Sequence, residues 1–245
     1  DAGSGLSADA NGNLVGTPER AGDHVLSLEI ADPDGAPRPA KARLTVIADP
    51  RDLWVSLPSD CSDPHWKEDR VVLTQTSPHA FLLAGSLRGR GHAQKGGFRE
   101  DDVALRVNED GWHILVVADG AGSARLSRQA SRIAVEIAAD AIDERTRTHL
   151  GRRLDGRLSA WSVNPEEEMA SIRRDLLYPV LAGAALKATN ALVEESKARE
   201  TPFRDYYTTL LCAIARRTDQ GWMIGSFSVG DGGIGAFDAE AGTLD

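Results

Sequence analysis

Apolar residues recur along this chain with a strand period in some stretches and a helix period in others, and each change of period marks an element. Phe81-Leu82-Leu83-Ala84-Gly85 begins a strand, and Val103-Ala104-Leu105-Arg106-Val107 alternates as another. Asn108-Glu109-Asp110-Gly111 has hairpin-turn chemistry, so residues 112–118 are the return strand. Over about 124–147 the period becomes helical: Ile133, Ile137 and Ala141 recur at every fourth position, with Ala130 and Ala134 beside them. Residues 148–163 hold Gly151, Gly156 and several arginines, which predicts a surface loop. A second helix opens with Asn164 as cap, Pro165 in the first position and Glu166, Glu167 and Glu168 at the positive end of the dipole. It runs toward Lys197, with Pro179 expected to kink or break it. Strands return over 207–216 and 222–229; Gly230-Asp231-Gly232-Gly233 makes a tight turn, and a third strand starts over 234–237.

The first fifth of the chain is patterned differently. Val25, Leu26, Leu28 and Ile30 form one candidate strand, Ala42, Leu44, Val46 and Ile47 another, with Asp32-Pro33-Asp34-Gly35-Ala36-Pro37 as the turn between them. Asp9-Ala10-Asn11-Gly12-Asn13-Leu14-Val15-Gly16-Thr17-Pro18, followed by Ala21-Gly22-Asp23-His24-Val25, resembles the second half of bacterial immunoglobulin-like repeats, which implies a spacer or binding module. Residues 50–78, with Pro58, Pro64 and Pro78, read as irregular linker anchored by Trp54 and Trp66. The expected organisation is a partial β segment over 1–49, a linker over 50–78 and a main domain over 79–245.

Bulk properties narrow the partners. A net charge of −9 over 245 residues points away from nucleic acid. Two cysteines, Cys61 and Cys212, make neither a disulfide framework nor a zinc cluster and suit a reducing cytoplasm. No apolar run reads as a membrane span and no signal peptide is visible, so neither a membrane partner nor export is expected. The first residue is Asp1 rather than Met, and both ends fall in β-like segments, so the chain is expected to be part of a longer protein.

The chemistry concentrates where Ile114-Leu115-Val116-Val117-Ala118 delivers Asp119 to a strand tip, followed by Gly120-Ala121-Gly122-Ser123. A carboxylate and a bare peptide carbonyl are hard oxygen ligands suited to Mg2+ or Mn2+, although an Asp-Gly turn by itself is common. Three further features accompany it in order: Arg99-Glu100-Asp101-Asp102 before it, then Tyr207-Thr208-Thr209-Leu210, then Phe227-Ser228-Val229-Gly230-Asp231-Gly232. This ordered set resembles the type 2C metal-dependent serine/threonine protein phosphatases over about residues 81–245. The resemblance implies an α+β fold, a sandwich of two antiparallel sheets flanked by helices. It also implies a centre of two or more Mn2+ or Mg2+ ions. Asp119 maps onto the bridging ligand and the Gly120 carbonyl onto a further one. Glu100 and Asp101 map onto the acidic pair acting largely through metal-bound waters, and Asp231 onto a weaker additional site. The implied reaction is hydrolysis of phosphoserine or phosphothreonine in a protein substrate by metal-bound water, without a phosphoenzyme, in a kinase-linked signalling setting. A catalytically inactive, phosphoprotein-binding relative is the alternative.

Glu109 and Asp110 mimic the acidic signature, but they sit in the hairpin turn nine positions before Asp119, too close to pair across a sheet with that tip. Asp101 lies 18 positions before it, enough for two strands and a turn. Where some family members have a histidine after the aspartate-glycine, this chain has Ala121; His92 is the spare candidate for general acid. Arg88, Arg90 or His92 is placed to take the substrate phosphate, and the same basic turn is equally well a solvated one. His113 reads as a packed strand residue, and Cys212 as a small apolar filler. The resemblance implies two further metal-binding aspartates beyond Asp245.

Overall fold

The computed structural model describes residues 5–31, 35–49, 54–161, 165–219, 221–240 and 242–244. Backbone contacts divide the chain into two units, Asp1–Val55 and Ser56–Asp245. The cap expected at Asn164 and the turn residues Asp32, Pro33 and Asp34 lie outside the described residues.

In the first unit, β1 (Leu6–Ala8) pairs with β2 (Leu14–Gly16), and β3 (Gly22–Ala31) pairs antiparallel with β4 (Pro37–Val46). Both strands read from the alternation are present. The ladder stops at Val46, leaving Ile47 exposed. Leu26 is the one fully buried side chain of this unit among the described residues. Trp54, expected to anchor the linker, is exposed instead; Trp66 in the second unit does anchor, its indole N–H donating to Ser59 Oγ at 3.1 Å.

The second unit is α+β with antiparallel sheets. Residues 70–76, read above as irregular linker, form β5 (Arg70–Thr76), paired with β6 (Phe81–Leu87) through a turn closed by Ser77 N–H to Ala80 O. A single helical turn, α1 (Arg90–Ala93), leads to β7 (Asp102–Val107) and β8 (Trp112–Ala118). The hairpin turn at Asn108 closes as expected, with Gly111 at φ +79°, where a glycine is needed. Strands β9 (Leu210–Thr218) and β10 (Gly221–Val229) complete a four-stranded sheet of order β10-β9-β8-β7. The third strand expected at 234–237 shrinks to β11 (Phe237–Asp238), which pairs with β12 (Thr243–Leu244).

Alternation along β8 sorts its side chains between two faces. Trp112, Ile114, Val116 and Ala118 join Leu210, Cys212 and Ile214 of β9 in a core covered by α2 (Ser127–Thr146). On the opposite face the β5–β6 hairpin packs on β7, and His113 is packed as expected, bonded to Ser77 Oγ at 2.7 Å and edge-on to Trp222.

Residues 149–160, predicted as surface loop, are instead helix α3 (His149–Ala160), capped by Thr148 Oγ1 accepting from Leu150 N–H. Leu150, Leu154 and Leu158 form a buried stripe at i, i+4, i+8 that outweighs two glycines and several arginines. Gly151 serves close packing rather than a loop: a Cβ there would lie 1.7 Å from the Thr146 carbonyl oxygen.

The second helix is not broken at Pro179: its α-helical pattern is interrupted there by a π-helical turn and the helix continues. α4 (Pro165–Leu176) passes through a π-helical turn, Leu177–Ala182, into α5 (Gly183–Ala198). Contrary to the sequence reading of apolar runs, Glu166–Ala198 is long and apolar enough by length and composition to cross a membrane. In this fold its Val180, Leu181, Ala184, Ala185 and Ala188 belong to the core, where α5 packs on α2 and the π turn on β10.

Candidate metal centre

The four sheet strands bring the sequence motifs to one edge. Asp102 pairs with Ala118, so one more step along the ladder sets Asp101 opposite Asp119. Gly120 bridges Thr208, which sets Thr209 opposite Asp119, and the Val229–Leu210 pair sets Gly230 beside Thr209. Asp101, Asp119, Thr209 and Gly230 therefore form one row across the sheet. Glu100, Gly120, Thr208 and Asp231 form the next.

The tip carrying Asp119 is clamped by the threonine strand. Asp119 N–H donates to Thr209 Oγ1 at 2.9 Å, Thr209 N–H donates to the Asp119 carbonyl at 2.8 Å, and Thr208 Oγ1 donates to the same carbonyl at 2.9 Å. Ala121 N–H reaches the Tyr207 carbonyl at 3.0 Å. Gly120 is buried and is not in the left-handed region. Its lack of a side chain is required by packing: a Cβ would lie 2.7 Å from the Glu100 carbonyl oxygen and 2.9 Å from Ser127 Cβ.

The carboxylates of Asp101 and Asp119 meet. Burial, then the hydrogen bond to Asp119 and its charge, pushes Asp101 up to about 6, while the Gly120 N–H on its carboxylate pulls the other way. Two facing carboxylates beside a glycine turn are a donor set that a divalent cation relieves of repulsion, so these residues fit Mn2+ or Mg2+. The fit is partial: among the described residues no three His, Cys, Asp or Glu side chains converge on one point.

The other expected residues lie nearby without joining the pair. Glu100 is half-buried, with Oε1 3.9 Å from His92 Nδ1 and Oε2 toward Gly122. Asp231 is exposed and two strands from Gly120, about 10 Å at ordinary strand spacing. Arg90 is exposed at the start of α1, on the same short turn as His92. Arg88 is committed to structure: it bonds Gly97 O, Leu57 O and Ser56 Oγ and pairs with Asp69, which removes it from the phosphate candidates. Burial pushes the Cys212 thiol up to about 12, which disqualifies it as a nucleophile.

Sequence reasoning missed what lies behind the acids. Asp102 turns the opposite way from Asp101, as strand alternation requires, and is bonded by Lys67 Nζ at 3.1 Å and Arg99 Nη1 at 3.2 Å. Lys67 sits in the stretch read as linker, and no local pattern marked it. A cavity of about 510 Å³ lies elsewhere, between α4 and β10. It is lined by Met169, Ile172, Trp222 and Met223, with Arg173 as its one charged residue and no carboxylate, so it is not the place of the acid pair.

A pH dependence follows from the pair. Asp101 is raised above its ordinary value of 3.8, so in the metal-free protein its contribution to stability is full below about pH 4 and is lost as pH rises through about 6. The group is half-exposed, and after solvent screening the loss is of order 1 kcal/mol. Thermal unfolding of metal-free protein between pH 4 and 7 should show this loss. Mn2+ affinity measured by titration calorimetry should fall below about pH 6, where a proton competes with the cation. A Mn2+ affinity flat from pH 7 to 5 would be inconsistent with Asp101 as a ligand.

Residues 88–244 match the family model described as Protein phosphatase 2C, which is more than half of the chain. No curated protein matches the chain.

Proposed function

Because the chain belongs to the protein phosphatase 2C family, we propose that it is a metal-dependent phosphatase acting on phosphoserine or phosphothreonine in a protein substrate. The observation that carries this reading is the Asp101–Asp119 carboxylate pair beside the buried Gly120 turn, inside the matched residues. Asp119, Asp101 and the Gly120 carbonyl would hold Mn2+ or Mg2+, with Glu100 beside them in the neighbouring row and Asp231 serving a separate, weaker site. When bound, such ions neutralise phosphoryl charge and acidify water. Arg90, exposed on α1, receives the substrate phosphate. His92, with Nδ1 toward Glu100, holds the proton for the leaving oxygen. Water attacks phosphorus directly and no side chain is phosphorylated. The setting is cytoplasmic, with a kinase-linked signalling partner, and the N-terminal unit serves as an immunoglobulin-like spacer.

A second reading rests on Ala121, which stands where some family members carry a histidine after the aspartate-glycine: a phosphatase-like module that binds phosphoprotein without turnover. Phosphate release from a phosphothreonine peptide separates the two, measured with Mn2+, with Mg2+ and with EDTA, on this chain and on any longer parent protein. Release that needs the metal supports the enzyme. A folded parent that binds Mn2+ and phosphopeptide yet releases no phosphate supports the binding module.

A further inference from the structure

Lys67 precedes the residues that match the family model, in a segment without regular structure ahead of β5. That segment is nonetheless fastened to the site's surroundings. Asp63 pairs with Arg128 of α2 at 2.7 Å, the Trp66 carbonyl accepts from Arg132 at 3.2 Å, and Leu57 N–H reaches the Ala93 carbonyl at 2.9 Å. From this strap the Lys67 side chain, 1% exposed, passes under the acid row. Its ammonium donates to the Asp101 carbonyl at 3.0 Å, to Asp102 Oδ2 and Ser131 Oγ at 3.1 Å each, and to the Glu100 carbonyl at 3.5 Å.

We propose that Lys67 is a positioning residue of the metal centre: it holds the Glu100 and Asp101 main chain from behind and so sets where the Asp101 carboxylate meets Asp119. This rests on the reading of that pair as metal ligands. An ammonium in this place is costly, and burial pushes Lys67 down to about 8 against the pull of Asp102. A spot that only needed filling would be served as well by an apolar side chain. What the ammonium supplies is several directed hydrogen bonds from one point. Arg99 adds a second cation on the same peptide, donating to the Asp101 carbonyl at 2.6 Å, while Ser131 Oγ donates to the Glu100 carbonyl. With the peptides pinned on this side, alternation turns Asp102 inward and aims Asp101 at Asp119. Lys67 and Asp101 are 34 residues apart in sequence, so this alignment depends on the strap being docked.

The test compares Lys67→Met, Lys67→Arg and Ser131→Ala in the full chain. Lys67→Met keeps the apolar stem and leaves Asp102 its Arg99 partner, so no buried charge is orphaned. Three readouts are taken: the thermal midpoint and, at a temperature below it, Mn2+ affinity by calorimetry and hydrogen exchange of the Gly120 amide, which bonds the Asp101 carboxylate. Lys67→Met is expected to weaken Mn2+ binding by about 10- to 100-fold, the range for residues that orient a metal ligand, and to speed Gly120 exchange. Ser131→Ala should shift both in the same direction by less, and Lys67→Arg should recover most of the loss. A changed midpoint with Mn2+ affinity and Gly120 exchange unaltered overturns the proposal and leaves Lys67 a packing residue. If Lys67→Met does not fold, Ser131→Ala decides on the same readouts. If the unmodified chain binds no Mn2+, the metal reading itself fails, and unchanged Gly120 exchange in the variants then removes Lys67 as a positioning residue as well.

Discussion

Asp119→Asn is expected to abolish Mn2+-dependent phosphate release, by about 10³-fold or more, while making the metal-free protein slightly more stable. The two effects share a cause. Asp119 stands at the tip of β8 facing Asp101, and its backbone is held by Thr208 and Thr209 irrespective of its side chain. The substitution therefore removes a charge without disturbing the fold. Loss of a metal ligand forfeits several kcal/mol of charge stabilisation in phosphoryl transfer, and each 1.36 kcal/mol is a factor of ten. In the metal-free protein Asp101 is pushed up to about 6 by burial first and by Asp119 second, and the same change relieves the Asp119 charge. After screening, that relief is of order 1 kcal/mol, or about 2–4 °C in melting midpoint for a domain of this size. The check is a paired measurement, activity with Mn2+ and midpoint in EDTA. An active Asp119→Asn protein would refute the metal assignment, and an inactive one with a lowered midpoint would point to misfolding.

Gly120→Ala should damage both stability and activity, because the space for a methyl group does not exist. The added Cβ would stand 2.7 Å from the Glu100 carbonyl oxygen, 2.9 Å from Ser127 Cβ and 3.0 Å from the Ser127 carbonyl carbon. Those are main-chain and helix-start atoms in a packed interior, so something must shift, at a cost of about 1–3 kcal/mol. The Glu100 carbonyl is also held by Lys67 and Ser131, so displacing it disturbs the acid row. A loss of about 10- to 100-fold in Mn2+ affinity should accompany the fall in midpoint. Gly122→Ala is the control: its Cβ would approach only Glu100 Oε2, at 3.9 Å, and the midpoint should stay within about 0.5 kcal/mol equivalent. Equal midpoints for the two variants would show that the turn has more room than the packing implies.

The legible parts of the fold were those with local causes. The Val103 and Trp112 strands, the turn between them and α2 follow from alternation, Asn-Glu-Asp-Gly chemistry and an i+4 repeat. The π-helical interruption at Pro179 follows from a missing N–H. The 18-residue separation of Asp101 and Asp119 anticipated their opposition, and the β7–β8 register sets them facing. The failures share a different origin. Residues 149–160 have weak helical composition, and what makes them helix is the burial of Leu150, Leu154 and Leu158 against a core built by other elements. β5 sits in a proline-bearing stretch and exists because β6 and β7 are there to receive it.

The candidate site divides the same way. By itself the sequence determined which residue types stand at the strand ends and their order along the chain, because side-chain chemistry and strand length are local properties. Only the tertiary structure decided that Asp101 faces Asp119 while Asp102 turns inward, that Glu100 and Asp231 stand apart from the pair, that Arg88 is spent on structure, and that Lys67 lies beneath the acid row. Those outcomes depend on register, face and burial between segments distant in sequence, which no local pattern carries.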